Sequence, residues 1–435
     1  MRHIIYQVLP RIWGGGKLSE WDAPVFDYLK SLGVDTVWYT GIIRHASGKP
    51  FVKGNPGSPY AISDYFDVNP YLADRPASRM AEFEALVKRT HKAGLKAIID
   101  FVPNHVACDN GQLPVHPWCD YDWTDTRKVD YGNPETFGKM LEILRFWASK
   151  GVDGFRCDMV EMVPVGFFGW LIPELKKEYP GLLFIGEAYD RANYRPLLDA
   201  GFDLLYDKSG VYDILRGIIC DGRSARELTG NWQFLQDIQP RMLNFLENHD
   251  EQRIASPFFA GNPRKAYAAW AFCSLFNTAS VMLYAGQELG ETASEGAEGR
   301  TSIFDWTAPV TLKHLHATIH SRKPLPAKEK AVLERYRQIL TVASSPLASE
   351  GSNYDLCWLN EGSEGFDPDR HFAFLRHDGN RCILVFCNFS DSPAKAFVRI
   401  PEGIIEKCRP VEGGIVVSAP AWDAALVELT SRESS

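Results

Sequence analysis

The chain has 435 residues, 45% hydrophobic and 23% charged, close to the globular average, which excludes disordered and fibrous classes. Its formal net charge of −8 argues against a nucleic-acid binder or a protein held on anionic lipid, and leaves neutral substrates open. No apolar run reaches the roughly 18 residues that a membrane span needs, so no membrane partner is expected.

The N-terminal MRHIIYQVLPRIW is interrupted by Gln7 and Pro10 and reads as a first strand rather than a leader. Further β-branched runs follow at VDTVWYT (34–40), KAIIDFV (96–102), GFRCD (154–158), LLFIGEA (182–188), FDLLYD (202–207), RMLNFLENHD (241–250) and SVMLYAG (280–286). Amphipathic stretches separate most of them. Met80, Phe83 and Val87 share one helical face, with Gly94 at the helix end; Phe137, Leu141, Leu144 and Ala148 share another, after Asn133 and Pro134 as cap and first turn. Eight strands alternating with helices predict an α/β fold, a (β/α)8 TIM barrel, over residues 1–345. An open doubly wound sheet is the alternative, but GGGK (14–17) is a poor phosphate loop.

Long connections follow the second strand (43–77) and the third (106–133). The second of them, a short excursion, is rich in aromatic and acidic residues at PWCDYDWTDTRKVDY (117–131), a texture suited to sugar rings and hydroxyls as well as to a small local core. After the helix KEKAVLERYRQIL (328–340) the texture changes. Residues 346–435 read as an antiparallel β domain of sandwich type, with no convincing helix from about 350 to 430; HFAFLRH, RCILVFCNFS and AALVELT are its clearest strands. Nine cysteines without metal spacing, from Cys108 to Cys408, read as free thiols of a reducing cytoplasm, although Cys108 and Cys119 share one loop.

Barrel sites lie at the C-terminal ends of the strands. There the sequence places Asp100, Asn104 and His105, then Arg156 and Asp158, then Glu187, then Asn248, His249 and Asp250. Any one of these acids alone reads as a helix cap. Clustered carboxylates repel one another, and their grouping beside an arginine and two histidines is better explained as a tuned acid/base site. Glycoside hydrolysis needs such a set: one carboxylate to attack the anomeric carbon, and a second that stays protonated to release the leaving oxygen.

DFVPNH (100–105), GFRCDMVEM (154–162), FIGEAYD (184–190) and FLENHD (245–250) resemble, in order and spacing, the four signature regions of the α-amylase family, glycoside hydrolase family 13. PYAISDYFDVNP (59–70) and VMLYAGQELG (281–290) resemble that family's segments after the second strand and at the last. The resemblance covers at least 1–345. It implies Asp158 as nucleophile, Glu187 as acid/base and Asp250 as stabiliser of the transition state. Arg156 would hold Asp158 ionised, His105 and His249 would contact the sugar, and Tyr60 would stack beneath it. Asp100 and Asp64 would be structural. Arg253 would orient Asp250 or form a loop salt bridge, and Tyr189 would stack a leaving-group sugar or pack locally.

The expected function is retaining hydrolysis of α-glucosidic, mainly α-1,4, bonds in maltooligosaccharides or α-glucans. The alternatives are a transglycosylase of the same family and a barrel that binds carbohydrate without catalysis. No cofactor is expected and no metal site is assigned. Calcium is not favoured, because Glu161 and Met162 stand where calcium-binding members carry Lys-His and the excursion is short; Asp120, Asp122 and Asp125 would be the ligands otherwise. Gly57 replaces the Asp that members trimming 1,6-linked chain ends often carry, which disfavours that subgroup.

Overall fold

Eight short apolar segments pair edge to edge into a closed parallel barrel: β1 Ile4–Val8, β2 Thr36–Tyr39, β3 Lys96–Phe101, β4 Gly154–Cys157, β5 Leu183–Gly186, β6 Leu204–Tyr206, β7 Met242–Phe245 and β8 Ser280–Tyr284. Neighbours follow sequence order around the ring, and β1 closes it by pairing with β8, Ile4 opposite Val281. Each strand lies inside a run read from the sequence. This computed structural model describes residues 2–293, 298–306, 309–379, 381–401 and 413–429; Cys408 lies outside them.

Helices, beginning with α1 Ala23–Ser31, cover the outside with the faces that periodicity requires. In α2, Arg79–Lys92, Phe83, Leu86 and Val87 are buried, and Gly94 follows at φ +80, a left-handed value that glycine adopts without penalty. In α3, Glu135–Ser149, the apolar face is wider than expected: Met140, Ile143 and Trp147 join Leu141 and Leu144, while Phe137 is half-buried. Asn133 accepts the Glu135 N–H at 2.9 Å, so its side chain caps this helix from one position further out than expected.

The long connections are ordered. Residues after β2 form a hairpin of Ile43–His45 with Ile62–Val68, and the excursion after β3 forms a second, of His105–Ala107 with Thr126–Lys128. Beyond the barrel run β9 Ser352–Asp355, β10 His371–His377, β11 Cys382–Asn388, β12 Ala394–Arg399, β13 Gly414–Ala419 and β14 Ala424–Glu428. They build an antiparallel sheet in the order β9-β10-β11-β14 and a separate β12-β13 ribbon. One helical turn, Cys357–Asn360, sits where no helix was read, too short to show a period. Cys108 and Cys119 are not joined to one another and are free thiols, as are Cys157, Cys220, Cys273, Cys357 and Cys387. No helix among the described residues is long and apolar enough to cross a membrane.

The helix Tyr267–Leu275 is buried at every residue because it lies between the barrel and the C-terminal sheet. Phe272 and Phe276 meet Phe372 and Phe374 there, edge to face, with centroids 5.0–6.5 Å apart. Truncating the fully buried Phe372 to alanine is expected to destabilise the protein by about 3–5 kcal/mol. Calorimetry measures it, and a change below roughly 0.5 kcal/mol, the scale of surface substitutions, contradicts a shared core here.

Candidate active site

Arg156, the third residue of β4, is completely buried at the mouth of the barrel. Its Nη1 donates to Asp158 Oδ1 at 2.6 Å, and its Nη2 lies 2.6 Å from Glu187 Oε1. Nε donates to the Tyr206 hydroxyl at 3.3 Å. Ring centroids of Trp38, Tyr60 and Tyr206 stand 5.3, 5.4 and 5.5 Å from the guanidinium carbon. Aromatic faces on three sides and carboxylates ahead replace the lost water around this permanent cation.

Asp158 is fixed through its backbone N–H, which donates to Phe101 O at 2.8 Å. Met159 then turns to φ +45, and its N–H donates to Glu187 Oε2 at 2.8 Å. The Tyr189 hydroxyl donates to Glu187 Oε1 at 2.8 Å, so this ring is bonded to the acid rather than merely packed beside it. Glu161 accepts the N–H groups of Tyr189 and Asp190 at 2.9 and 2.8 Å, which holds the loop after β5. Burial pushes the Glu187 carboxyl up to about 7, against the pull of Arg156 and with help from the charges of Asp158 and Asp250. Burial also leaves Asp158 raised, and its ion pair with Arg156 offsets only part of that rise.

Asp250 behaves differently. Burial works against its anion, but the charge and hydrogen bond of His249, with Arg156 and Arg300 behind, hold the carboxyl down at about 2. His249 Nε2 lies 2.9 Å from Asp250 Oδ2 and 2.6 Å from the Tyr60 hydroxyl, while Gln7 Nε2 lies 2.7 Å from its Nδ1. Tyr60 stacks on that ring at 5.1 Å. Asp100 supports this group from behind, accepting from Trp38 Nε1 at 3.2 Å, Gly41 N–H at 3.0 Å and the Tyr60 hydroxyl at 3.3 Å.

Tyr60, His105, Asp158, Glu187 and Asp250 line one cavity of about 300 Å³, so these five expected residues share a single opening. Arg156 and His249 lie beneath that lining and hold it. Burial keeps the His105 ring at about 4, hence neutral near pH 7 and able to bond hydroxyls. Trp123 of the excursion packs 4.9 Å from it. The cavity has partners that strand-end reasoning did not supply: Lys53, Trp123, Arg300 and Phe304 come from long connections, where no periodic pattern marks direction. Tyr206 and Trp38 were findable, since both end or nearly end a barrel strand.

Beside Asn104 a carboxylate is already paired with a lysine. Asn104 Nδ2 donates to Asp120 at 3.0 Å, and the Lys128 ammonium already lies 2.8 Å from the same carboxylate. Asn104 Oδ1 is buried without a hydrogen-bond partner among the described residues. Met162 presents sulfur to Asn104 at 3.9 Å, and sulfur is a poor ligand for a hard cation.

A family model, "Alpha amylase, catalytic domain", matches residues 24–113. The chain is 27% identical to the alpha-amylase MalA of Haloarcula japonica, over 92% of this chain and 57% of that protein. The chain is thus similar to α-amylases over most of its length. It is 23% identical to a cyclomaltodextrinase of Geobacillus thermopakistaniensis, over 85% of this chain and 61% of the relative. The chain therefore spans about three-fifths of the length of these two relatives. Among solved structures, a noncanonic maltogenic alpha-amylase AmyB from Thermotoga neapolitana superposes with TM-score 0.71 at 25% identity, covering 99% of this chain and 97% of that one. An alpha-amylase from Geobacillus thermoleovorans complexed with acarbose superposes at 0.76 with 20% identity, covering 99% of each, which shows the shared fold.

Arg253 does not reach Asp250 by any side-chain hydrogen bond seen here. Its Nη1 donates to Glu247 at 2.8 Å, its Nε to Thr301 at 2.9 Å and its Nη2 to Ala285 O at 2.8 Å, over the Tyr284 ring. It is a fully buried salt bridge that ties the loop after β7 to the loop after β8. Arg253→Met leaves Glu247 buried without its cation, and a loss of about 3–5 kcal/mol is expected in denaturant unfolding. A loss below roughly 1 kcal/mol, the range of exposed pairs, contradicts this role.

Proposed function

We propose that the chain is a retaining glycoside hydrolase acting on α-1,4-linked glucans or maltooligosaccharides. The observation that carries this reading is the Arg156 guanidinium reaching both Asp158 and Glu187 at 2.6 Å. Carboxylates that share one fork stand close. That suits the roughly 5–5.5 Å of a retaining pair better than the 6.5–9.5 Å that admits a water.

In this reading Asp158 Oδ attacks the anomeric carbon as the glycosidic C–O bond breaks, and Glu187 gives its proton to the departing oxygen. Glu187, now a carboxylate, takes a proton from water; the hydroxyl adds to the same carbon and Asp158 leaves. The net change is one water added across the bond. Asp250, kept ionised, faces the positive charge that develops on the ring. Tyr60 supplies the stacking face, and the neutral His105 bonds sugar hydroxyls. Arg156 and His249 position these groups. All three carboxylates are at the mouth, which disfavours a silent binding barrel. Transfer to a sugar acceptor would use the same covalent step.

The occupied cation position at Asp120 supports action without calcium, and free thiols such as Cys108 and Cys119 support a cytoplasmic setting. Relatives named as alpha-amylases support the α-glucan substrate.

Asp158→Asn is expected to lower kcat/KM on maltoheptaose by at least about 10³-fold while leaving circular dichroism unchanged, because an amide does not attack the anomeric carbon. Near wild-type turnover contradicts the mechanism. Glu187 must enter protonated, so kcat/KM falls as pH rises through about 7. This alkaline limb disappears in Glu187→Gln assayed with a leaving group that needs no proton; its persistence there removes Glu187 from the acid role. Activity and Tm in excess chelator are expected to match those in added calcium. A loss of either that calcium restores overturns the reading of Lys128.

A further inference from the structure

If Glu187 protonates the leaving oxygen, the leaving group lies on its side of the cavity, over β4 and β5. In an eight-strand ring β5 stands opposite β1, so the other half of the sugar chain must lie over β8, β1 and β2. That half of the mouth is crossed by chain. The Asn55 N–H donates to Phe304 O at 3.2 Å, joining the loop after β2 to the loop after β8. Gly54 sits at φ +66, and a Cβ there would lie 1.9 Å from Phe304 O; only glycine lets the two backbones come this near.

The crossing is anchored on several sides. The Arg253 N–H donates to Gly299 O at 2.8 Å, and Arg11 Nη2 donates to Ser302 O at 3.3 Å. Trp306 meets Tyr71 edge to face at 4.8 Å. Lys53, beside the crossing, places Nζ 3.4 Å from Asp125 Oδ1 and donates to Asp122 O, which brings the excursion into the same rim. Lys53, Ser58, Ile303 and Phe304 all face the cavity. On the acid side Met159 and Tyr189 stay half-buried, within reach of solvent. The whole space, about 300 Å³, lies at the small end of ligand pockets, about 300–1,000 Å³.

We propose that this rim closes the cleft beyond the cleavage point, so that the protein takes an α-glucan by its non-reducing end and releases a short saccharide of fixed length instead of cutting within the chain. The proposal rests on the hydrolase reading above and deepens it. An internal stretch of glucan would have to pass through the Asn55–Phe304 crossing, whereas a chain end enters and stops.

The test uses 4-nitrophenyl maltoheptaoside, free or carrying a 4,6-benzylidene block on the non-reducing glucose, with tagged fragments separated by chromatography over time. The expected result is that the free substrate loses one short saccharide at a time from the untagged end. The blocked one should be cut at least roughly 100-fold more slowly, the penalty of misplacing reacting atoms by about 1 Å. Similar rates on both substrates, with tagged fragments of many lengths from the start, overturn the closed pocket. Cleavage of neither substrate contradicts the hydrolase reading and the closed pocket with it.

Discussion

The site is organised by one buried cation. Arg156 has no contact with bulk water, and its charge cannot be shed by deprotonation. Removing it from water is tolerable only if the surroundings replace hydration, and the barrel does so with three aromatic rings and two carboxylates. Those carboxylates are thereby drawn together in a place where like charges would otherwise spread apart. The cation does not treat them alike. It gives Asp158 a well-formed hydrogen bond, whereas Glu187 also takes its bonds from Met159 N–H and Tyr189 hydroxyl. Burial then leaves Glu187 near 7, with Asp250, outside the fork, far below it. Three chemically identical groups acquire different proton affinities from their surroundings alone.

The second constraint is mechanical. Barrel strands fix the ends from which the acids project, but loops decide what reaches them. Glu247 and Arg253 form a buried bridge beneath the loops after β7 and β8, and those loops support the wall that meets Asn55. The rigidity needed to hold Asp250 and that which shapes the pocket thus come from the same interactions. Lys128 does comparable work in the excursion, where its ammonium balances Asp120 next to Asn104 and so steadies the strand that begins at His105.

The barrel was legible in the sequence because each strand is short, apolar and followed by a helix whose period is visible in residues such as Phe83 and Val87. The acids and histidines were legible because a strand end is a known direction: Asp158, Glu187 and Asp250 had to face one mouth. What lay beyond reach were contacts between residues far apart in sequence inside irregular chain. Nothing in KGNPG announces that Gly54 meets Phe304, and nothing in the spacing of Arg253 chooses Glu247 over Asp250. Tyr189 was visible as an aromatic beside the acid, but its hydroxyl bond to Glu187 depends on the turn that Glu161 imposes. The wider apolar face of α3 has the same origin: Met140, Ile143 and Trp147 are buried by the neighbours that pack on them, not by helical period alone.

Whether the two carboxylates in the Arg156 fork stand close enough for direct attack is the point on which the chemistry turns. The most direct measurement is proton NMR of the first product from an α-1,4-linked substrate, recorded before mutarotation. Attack by Asp158 followed by water inverts the anomeric centre twice, so the α-anomer should appear first. An initial β-anomer would mean that water, not Asp158, attacks the sugar, and would contradict the role given to the shared guanidinium.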